Sequence, residues 1–308
     1  MSADHEPTAP NPAHGLGPHV VGSRIVVRRV LRGETGPSGG PAMTDLLGIC
    51  EAWDGEACVV RPEGGAPVRI ALRDIVSGKP VPPRASVRDR VPARDAQVHG
   101  FALFPDLVTE PLGAWILRDS ATATARRANS VLAFGPSGLD DEAAVAAVRA
   151  HYERPVAAVR AGSEEETLFT ARGWVPESTD ADTLFQVTGV AQLSRALRRV
   201  GADEADLVVE DRARAGSATA TARLDQRASG VAGYADDWLG FRSIQVEPTH
   251  RRRGHGLAVM SALTTWGAEQ GALTAYLQVL ADNAPALALY ERLGFRTHHR
   301  YRYLTPPA

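Results

Sequence analysis

The residues whose types and spacing could do chemistry are concentrated between positions 242 and 256. A strand-like run, Arg242–Val246, leads through residues 247–250 into the turn Arg251-Arg252-Arg253-Gly254-His255-Gly256, and a helix follows. The first turn of a helix has backbone N–H groups with no partner inside the helix, and the helix dipole favours anions there. Glycines allow phosphate oxygens to approach these N–H groups, and arginines add positive charge. The pattern predicts a pyrophosphate-binding helix start, whereas the alternative is a solvated cluster of charges.

A dinucleotide site of the doubly wound kind fits this turn less well. The spacing of the glycines is not Gly-x-Gly-x-x-Gly, and no acidic residue ends a following strand about 20 residues further on.

Two motifs resemble those of a known family. The pattern Val246-x-Pro248-x-x-Arg251-x-x-Gly254-x-Gly256 resembles the cofactor signature of the GCN5-related N-acetyltransferases (GNAT). About 40 residues later, Asn283 and the run Leu289-Tyr290-x-x-x-Gly294-Phe295 resemble the late motif of that family. The resemblance covers about 100 residues and implies an α/β GNAT fold with a mixed sheet for residues 205–305. It also implies acetyl-CoA as the co-substrate.

The resemblance assigns roles to individual residues. It implies that pantetheine lies like a short strand beside the backbone of Ile244, Gln245 and Val246, with pyrophosphate on residues 251–257, up to Leu257. Asn283 matches an asparagine that contacts the cofactor, although it could instead cap the helix that starts at residue 284. Tyr290 matches a tyrosine that protonates the departing thiolate, although it could instead be an apolar contact of its helix.

The general base is not given by the resemblance. Several histone-modifying relatives have a carboxylate on the strand before the loop, at the position that Gly240 occupies here. Asp236, Asp237 and Glu247 are the nearest carboxylates that could act through a water, although each could equally be a solvated turn or strand-end residue. His298–His299 is expected to lie on the surface and not to bind metal, because no acidic or cysteine partner has ligand-like spacing nearby.

The elements around these motifs indicate an internal repeat. Residues 205–305 and 93–192 both alternate strands and helices, and Leu168–Trp174 aligns with Leu289–Phe295. In the first half, the loop 134–142 has glycines and three acidic residues but no arginine, and Phe169 stands where Tyr290 would match. We therefore expect a degenerate first GNAT half and one acetyl-CoA per chain.

A third domain is expected before these halves. Short apolar runs between residues 18 and 83 predict a small all-β half-open barrel of the SH3 or Tudor kind, followed by the Pro-rich linker Lys79–Pro83. A two-residue turn at Asp54-Gly55 would point Cys50 and Cys58 to opposite faces, against a disulfide. Residues 1–17 are expected to be disordered.

Composition limits the classes of function. The chain has 34 basic and 36 acidic residues, so no chain-wide field favours nucleic acid or an anionic membrane. No signal peptide and no run of about 18 apolar residues occurs, which predicts a cytoplasmic protein without a membrane partner. The leading hypothesis is an N-acetyltransferase acting on a primary amine of a small molecule or of a protein lysine, the latter guided by the barrel. The alternative is a catalytically silent CoA-binding sensor or scaffold.

Overall fold

A computed structural model describes residues 15–36, 39–62, 64–81, 86–180, 182–201, 207–214 and 216–307. The chain divides into two compact units, Met1–Ala85 and Ser86–Ala308. None of the helices within the described ranges is both long and apolar enough to cross a membrane. The disorder expected for residues 1–17 concerns mainly positions 1–14, which lie outside the described residues.

The first unit is an open antiparallel sheet of five strands. They are β1 (Arg24–Thr35), β2 (Pro41–Trp53), β3 (Ala57–Pro62), β4 (Val68–Ala71) and β5 (Ile75–Pro80), in the order β4-β3-β2-β1-β5. The edge strands β4 and β5 are not paired with each other in the described residues, so the expected SH3 or Tudor-like barrel is not confirmed. Lys79 and Pro80, expected in the linker, are the last residues of β5, where they pair with β1.

The expectation that Cys50 and Cys58 point to opposite faces was wrong. Cys50 pairs with Val60 whereas Ala52 pairs with Val59, so Glu51 is an extra residue in β2. A bulge of one residue shifts the alternation of side chains by one, and both thiols therefore point into the same core. Both cysteines are fully buried and free.

The second unit alternates strands and helices, as the sequence predicted. Its first elements are α1 (Ala93–His99), β6 (Val108–Leu112), β7 (Trp115–Asp119), β8 (Val131–Ala133), α2 (Asp141–His151), β9 (Ala157–Arg160), α3 (Glu164–Ala171), β10 (Val175–Pro176), β11 (Thr183–Gly189) and α4 (Val190–Arg199). The later ones are β12 (Val208–Arg214), β13 (Ser217–Leu224), β14 (Ala228–Ala235), β15 (Trp238–Val246), α5 (His255–Glu269), β16 (Thr274–Leu280), α6 (Ala284–Arg292) and β17 (Arg296–Thr305).

Local signals explain several helix starts. Asp140 accepts a hydrogen bond from the backbone N–H of Ala143 at 2.9 Å, and Ser163 accepts one from Glu166 at 3.2 Å, so both cap their helices. Helix α4 was not predicted, because it occupies the segment interpreted as the junction between the two halves. Its buried residues Val190, Leu193 and Leu197 recur at helical spacing.

One mixed sheet runs through the whole second unit. Its order is β12-β13-β14-β15-β16-β11-β17-β9-β8-β7-β6, with β10 also paired to β17. Strand β11, from the predicted first half, lies between β16 and β17 and is antiparallel to both. Strand β17, from the predicted second half, in turn pairs with β9. The two halves therefore exchange strands, and neither has a complete sheet of its own.

The exchange buries apolar surface on both faces of the sheet. On the face covered by α4 and α5, Leu184 of β11 joins a core with Leu239, Leu263 and Leu277. On the opposite face, Phe185 and Val187 of the same strand pack with Trp238 and Tyr276. Burial of such side chains contributes about 1.5–3 kcal/mol each, so β11 is a large share of the stability of the second half.

We expect a fragment of residues 207–308 not to fold cooperatively, because it lacks β11 and α4 and leaves the edges of β16 and β17 unpaired. A fragment of residues 86–308 is the control and is expected to show a single cooperative transition. Denaturant unfolding followed by circular dichroism compares the two. A cooperative transition of the shorter fragment at the same midpoint would mean that the exchanged strand is dispensable.

Candidate active site

The central feature of the second unit is a gap between two parallel strands. Strands β15 and β16 are paired from Trp238 with Thr274 to Phe241 with Leu277, and not beyond. Strand β15 then continues to Val246 and β16 to Leu280. The backbone of residues 242–246 thus has an edge that no strand of the described residues covers. Unpaired N–H and C=O groups of this kind are available to an extended ligand.

A β-bulge bends β15 where the two strands diverge. On the β14 side, Val231 pairs with Arg242 and Ser229 with Gln245, so β15 has one residue more than β14 over this stretch. Ser243 adopts a left-handed backbone with φ of 53°. A bulge bends its strand and re-aims the side chains that follow. The bulge therefore turns residues 244–246 away from β16 and onto the core beneath α5.

The turn after β15 has free donors and unpaired positive charge. Arg252 and Gly254 have φ of 60° and 83°, and α5 begins at His255. The first N–H groups bonded within the helix are those of Leu257 and Ala258, which both donate to the carbonyl of Gly254. The three arginines at 251–253 are exposed, and no carboxylate of the described residues pairs with them. An anion would therefore meet several free donors at this helix start.

Glycine occurs at positions 254 and 256 of the turn for different structural reasons. Gly254 needs its left-handed backbone, and a Cβ there would have no atom within 4 Å. At Gly256, in the first turn of α5, a Cβ would lie 3.4 Å from Cγ2 of Val246, which is ordinary contact. Gly254 is thus required by conformation, whereas Gly256 leaves room between the helix and the end of β15.

Asn283 and Tyr290 lie at and in α6, directly after β16. The Asn283 side chain accepts a hydrogen bond from the N–H of Ala286 at 3.2 Å and so caps α6. Tyr290 is half-buried, with its ring edge-on to Phe295 at 5.8 Å between ring centres. It packs on the same core as Ile244, Val246 and Leu257. Burial raises the pKa of the Tyr290 phenol, which keeps it protonated at neutral pH.

The position of Gly240 is closed to any side chain. A Cβ there would lie 2.1 Å from the hydroxyl of Tyr276, whose ring fills the space on that face of the sheet. Tyr276 is fully buried and donates a hydrogen bond to the carbonyl of His99 at 2.9 Å. The absence of a carboxylate at position 240 is thus a consequence of packing.

The three predicted base candidates lie at opposite ends of β15. Asp236 and Asp237 form the turn before the strand, and Asp236 lies 3.5 Å from Nδ1 of His99 with its side chain 78% exposed. Glu247 follows the last residue of the strand. At about 3.3 Å per residue, Asp237 is about 13 Å and Glu247 about 20 Å from Phe241, where the strands part. None of them therefore lies at the point where the strands part.

A group of polar residues that the sequence analysis missed lies beside β16, the strand on one side of the gap. On the face opposite α5, a pocket of about 290 Å³ is lined by Arg127, Gln278, Tyr301 and Tyr303, among others. The hydroxyl of fully buried Tyr301 donates to Oε1 of Gln278 and lies 3.3 Å from that of Tyr303. The alternation Tyr301-x-Tyr303 on a strand was the available signal, because such residues share a face.

His299 was wrongly expected on the surface. It is buried, stacked on Phe185 at 4.9 Å, and its Nε2 lies 2.9 Å from the side-chain nitrogen of Gln97. Burial and then the neighbouring His298 lower the pKa of His299 to about 3, so the ring is neutral. His298 bonds to the carbonyl of Val91 through Nε2. No cluster of potential metal ligands is found among the residues that the structure describes.

The corresponding loop of the first half is already occupied by the chain itself. Strands β8 and β9 are parallel with α2 between them, as β15 and β16 are with α5. Here, however, the N–H of Gly135 donates to the carboxylate of Glu165 at 3.0 Å. A Cβ at Gly113 would lie 2.0 Å from the carbonyl of Ser137, so the β6–β7 turn also presses on this loop. Phe169 is fully buried against Trp115.

Comparisons with known proteins agree with this geometry. Residues 99–304 match the family model described as probable histone acetyltransferase Rv0428c C-terminal. An uncharacterized N-acetyltransferase, YobR of Bacillus subtilis, is 36% identical over 77 residues, or 24% of this chain and 31% of that protein. The ribosomal protein bS18-alanine N-acetyltransferase of Escherichia coli K12 is 43% identical over 53 residues, 17% of this chain and 36% of that protein. The chain spans about a third of the length of these curated relatives.

A solved structure shows the same fold. The GCN5-related N-acetyltransferase from Kribbella flavida superposes with a TM-score of 0.51 at 17% identity, covering 71% of this chain and 96% of that one. The mixed α/β sheet is thus that of the GNAT fold.

We expect Gly240→Ala to lower the free energy of unfolding by about 1–3 kcal/mol, because the added methyl overlaps the Tyr276 ring in a packed core. Gly256→Ala is the matched control, since its methyl meets only ordinary contact and alanine favours helix. Urea unfolding of both variants checks this. Equal stability of the two variants would show that the sheet accommodates a side chain at position 240.

Proposed function

We propose that this chain, which belongs to the family described as probable histone acetyltransferase Rv0428c C-terminal, transfers an acetyl group from acetyl-CoA to a primary amine. The supporting observation is the open gap between β15 and β16 that leads to an unpaired basic helix start. The family membership and the GNAT fold are the premises; the acetyltransferase activity, the donor, the acceptor and the roles of individual residues are the proposal. The name of the bS18-alanine relative supports an amine as acceptor.

The residues around the gap fit the pantetheine arm and the pyrophosphate of acetyl-CoA. The free backbone edge of Ile244, Gln245 and Val246 would pair with the amides of the pantetheine arm, in the manner of an added strand. The pyrophosphate would meet the N–H groups and guanidinium groups of residues 251–257. Asn283 caps α6 through its oxygen, which leaves its amide N–H₂ free to donate to the cofactor. The thioester would then lie near the point where the strands part.

The transfer requires two proton movements. The amine nitrogen forms a bond to the acetyl carbon, the carbon–sulfur bond breaks, and the sulfur leaves as a thiolate that gains a proton. Tyr290 is the proposed acid, since its buried phenol is protonated and its helix follows the strand that borders the gap. The proton of the amine would leave through water to one of the carboxylates Asp236, Asp237 or Glu247.

We also propose that the first half is a second GNAT unit that has lost its cofactor site. Its loop N–H of Gly135 is taken by Glu165, and Asp140 caps the helix where an anion would bind. These carboxylates satisfy the helix start and would repel a pyrophosphate. One acetyl-CoA per chain is the consequence.

A CoA-binding sensor is the second candidate. The packing of Tyr276 against Gly240 removes the carboxylate position from the strand before the loop, and that observation favours a domain that binds CoA without turnover. Release of free thiol in the presence of an amine panel separates the two candidates, because a sensor would bind acetyl-CoA with no acceptor-dependent release.

We expect Gly254→Asp to weaken acetyl-CoA binding at least tenfold, which is about 1.4 kcal/mol, because the carboxylate would stand among the donors for pyrophosphate. Gly173→Asp is the matched control: Gly173 has φ of 78° and, like Gly254, no atom within 4 Å of an added Cβ. Calorimetry of the wild type should give one site per chain. Unchanged affinity in a folded Gly254→Asp protein would show that the loop does not bind acetyl-CoA. A second saturable site would contradict the proposal that the first half has lost its cofactor site.

Tyr290→Phe should lower kcat about 100-fold and leave KM for acetyl-CoA nearly unchanged, because the hydroxyl acts only on charge that develops on sulfur. Tyr234→Phe is the control, since it removes the hydroxyl of another half-buried tyrosine beside the same core. Steady-state thiol release measures both. Turnover at the wild-type rate in Tyr290→Phe would show that the hydroxyl takes no part in the reaction and that Tyr290 only packs.

A further inference from the structure

A half-buried arginine near the gap, Arg127, has no counterion among the residues that the structure describes. Arg127 belongs to the 3₁₀ turn Arg126–Ala128 and lines the 290 Å³ pocket described above. Among the described residues, no hydrogen bond or ion pair to its guanidinium is found. Its neighbour Arg126, by contrast, is paired with Glu177 at 2.6 Å and with Asp180 at 3.0 Å. The positive charge of Arg127 is therefore available to a bound ligand.

Two other arginines, Arg242 and Arg118, lie close enough to Arg127 for its charge to act on them. Burial, and then the charge of Arg127, lower the pKa of Arg242 on β15. Arg118 is fully buried, and Arg127 is among the groups that lower its pKa after burial itself. Both of these arginines donate to backbone carbonyls, Arg242 to Leu103 at 2.9 Å and Arg118 to Ser130 at 3.0 Å. The carboxylate of Asp106 raises the pKa of Arg242, but more weakly than Arg127 lowers it.

The pocket offers donors and lacks acidic groups. Tyr301 donates its single proton to Oε1 of Gln278, so the hydroxyl of Tyr303 donates to Tyr301. This chain of hydrogen bonds fixes Gln278 with its N–H₂ group free to donate elsewhere. None of the nine lining residues carries a carboxylate. The pocket is thus complementary to an anion that can accept several hydrogen bonds.

We infer that Arg127 binds a carboxylate of the acceptor, and that the acceptor is a small molecule with both an amine and a carboxylate, such as a free amino acid. This inference rests on the proposed transferase function. A planar guanidinium matches a carboxylate with two parallel hydrogen bonds. The volume is at the small end of the roughly 300–1,000 Å³ of small-molecule sites, which favours a compact acceptor over a protein segment.

The pocket lies where one acceptor molecule could place its carboxylate on Arg127 and its amine toward the gap. Gln278 and Leu280 belong to the part of β16 that has parted from β15, so they border the gap in which the thioester is proposed to lie. A carboxylate held by Arg127 would direct the amine of the same molecule toward that gap. Arg127 is accordingly a specificity-determining residue that contacts the acceptor and takes no part in the proton movements.

The test compares free amino acids with their carboxamides, which keep the amine but lose the charge. Thiol release from acetyl-CoA should be at least tenfold faster, as kcat/KM, for the best amino acid than for its carboxamide. Arg127→Gln should reduce that ratio to near one, with the loss mainly in KM, and Arg127→Lys should restore part of it. Acetyl-CoA affinity should be unchanged in both variants. Arg90→Gln removes an exposed arginine of the same unit and should keep the wild-type ratio.

Binding of the same amino acids to the CoA-loaded protein, measured by calorimetry, gives a readout that needs no turnover. Loss of that binding in Arg127→Gln supports the inference even if the transferase proposal fails. Equal use of carboxamides and amino acids, or preference for lysine peptides with blocked ends, would overturn it. A weaker affinity for acetyl-CoA in Arg127→Gln would assign the arginine to the donor. No acetyl-CoA binding in the wild type would refute the proposed function itself.

Discussion

The second unit depends on the limited pairing of β15 with β16. Four residue pairs hold the strands together, and after Phe241 the extra residue at Ser243 bends β15 away. The same divergence exposes a backbone edge, directs the strand into the basic turn, and opens the space beside Gln278. If the strands remained paired to their ends, the helix start would still attract anions, but there would be no channel leading from it. The bulge therefore allows the basic turn at residues 251–253 and the point where the strands part to belong to one continuous site.

Packing behind the gap restricts its chemistry. Tyr276 occupies the space in front of Gly240 and anchors to the carbonyl of His99, which closes the paired end of the strands. A carboxylate is thereby excluded from position 240, and in the proposed reaction the proton of the acceptor amine would have to travel further. Beside β16, buried phenols and Arg127, which has no partner among the described residues, give a donor-rich surface.

The exchange of β11 and β17 gives the first half a structural role in the second unit. Strand β11 completes the sheet beside β16, and β17 completes it beside β9, so loss of either half would leave unpaired edges in the other. The turn that carries Arg127 also comes from the first half. That half thus contributes structure and one wall of the proposed acceptor pocket, although Glu165 occupies its loop.

The sequence by itself determined the local features of this protein. The basic turn, its glycines, the cap at Asn283 and the alternation of strands and helices follow from backbone requirements within a few residues, and the structure agrees with them except for helix α4, which was not predicted. What only the tertiary structure decided are contacts between distant residues: the place of β11 between β16 and β17, the burial of His299, the common core of Cys50 and Cys58, and the grouping of Arg127 with Tyr301. Periodicity indicates which face of a strand is apolar but not which strand lies beside it. A single-residue bulge, as at Glu51 or Ser243, also reverses or redirects side chains without any clear signal in the residue types.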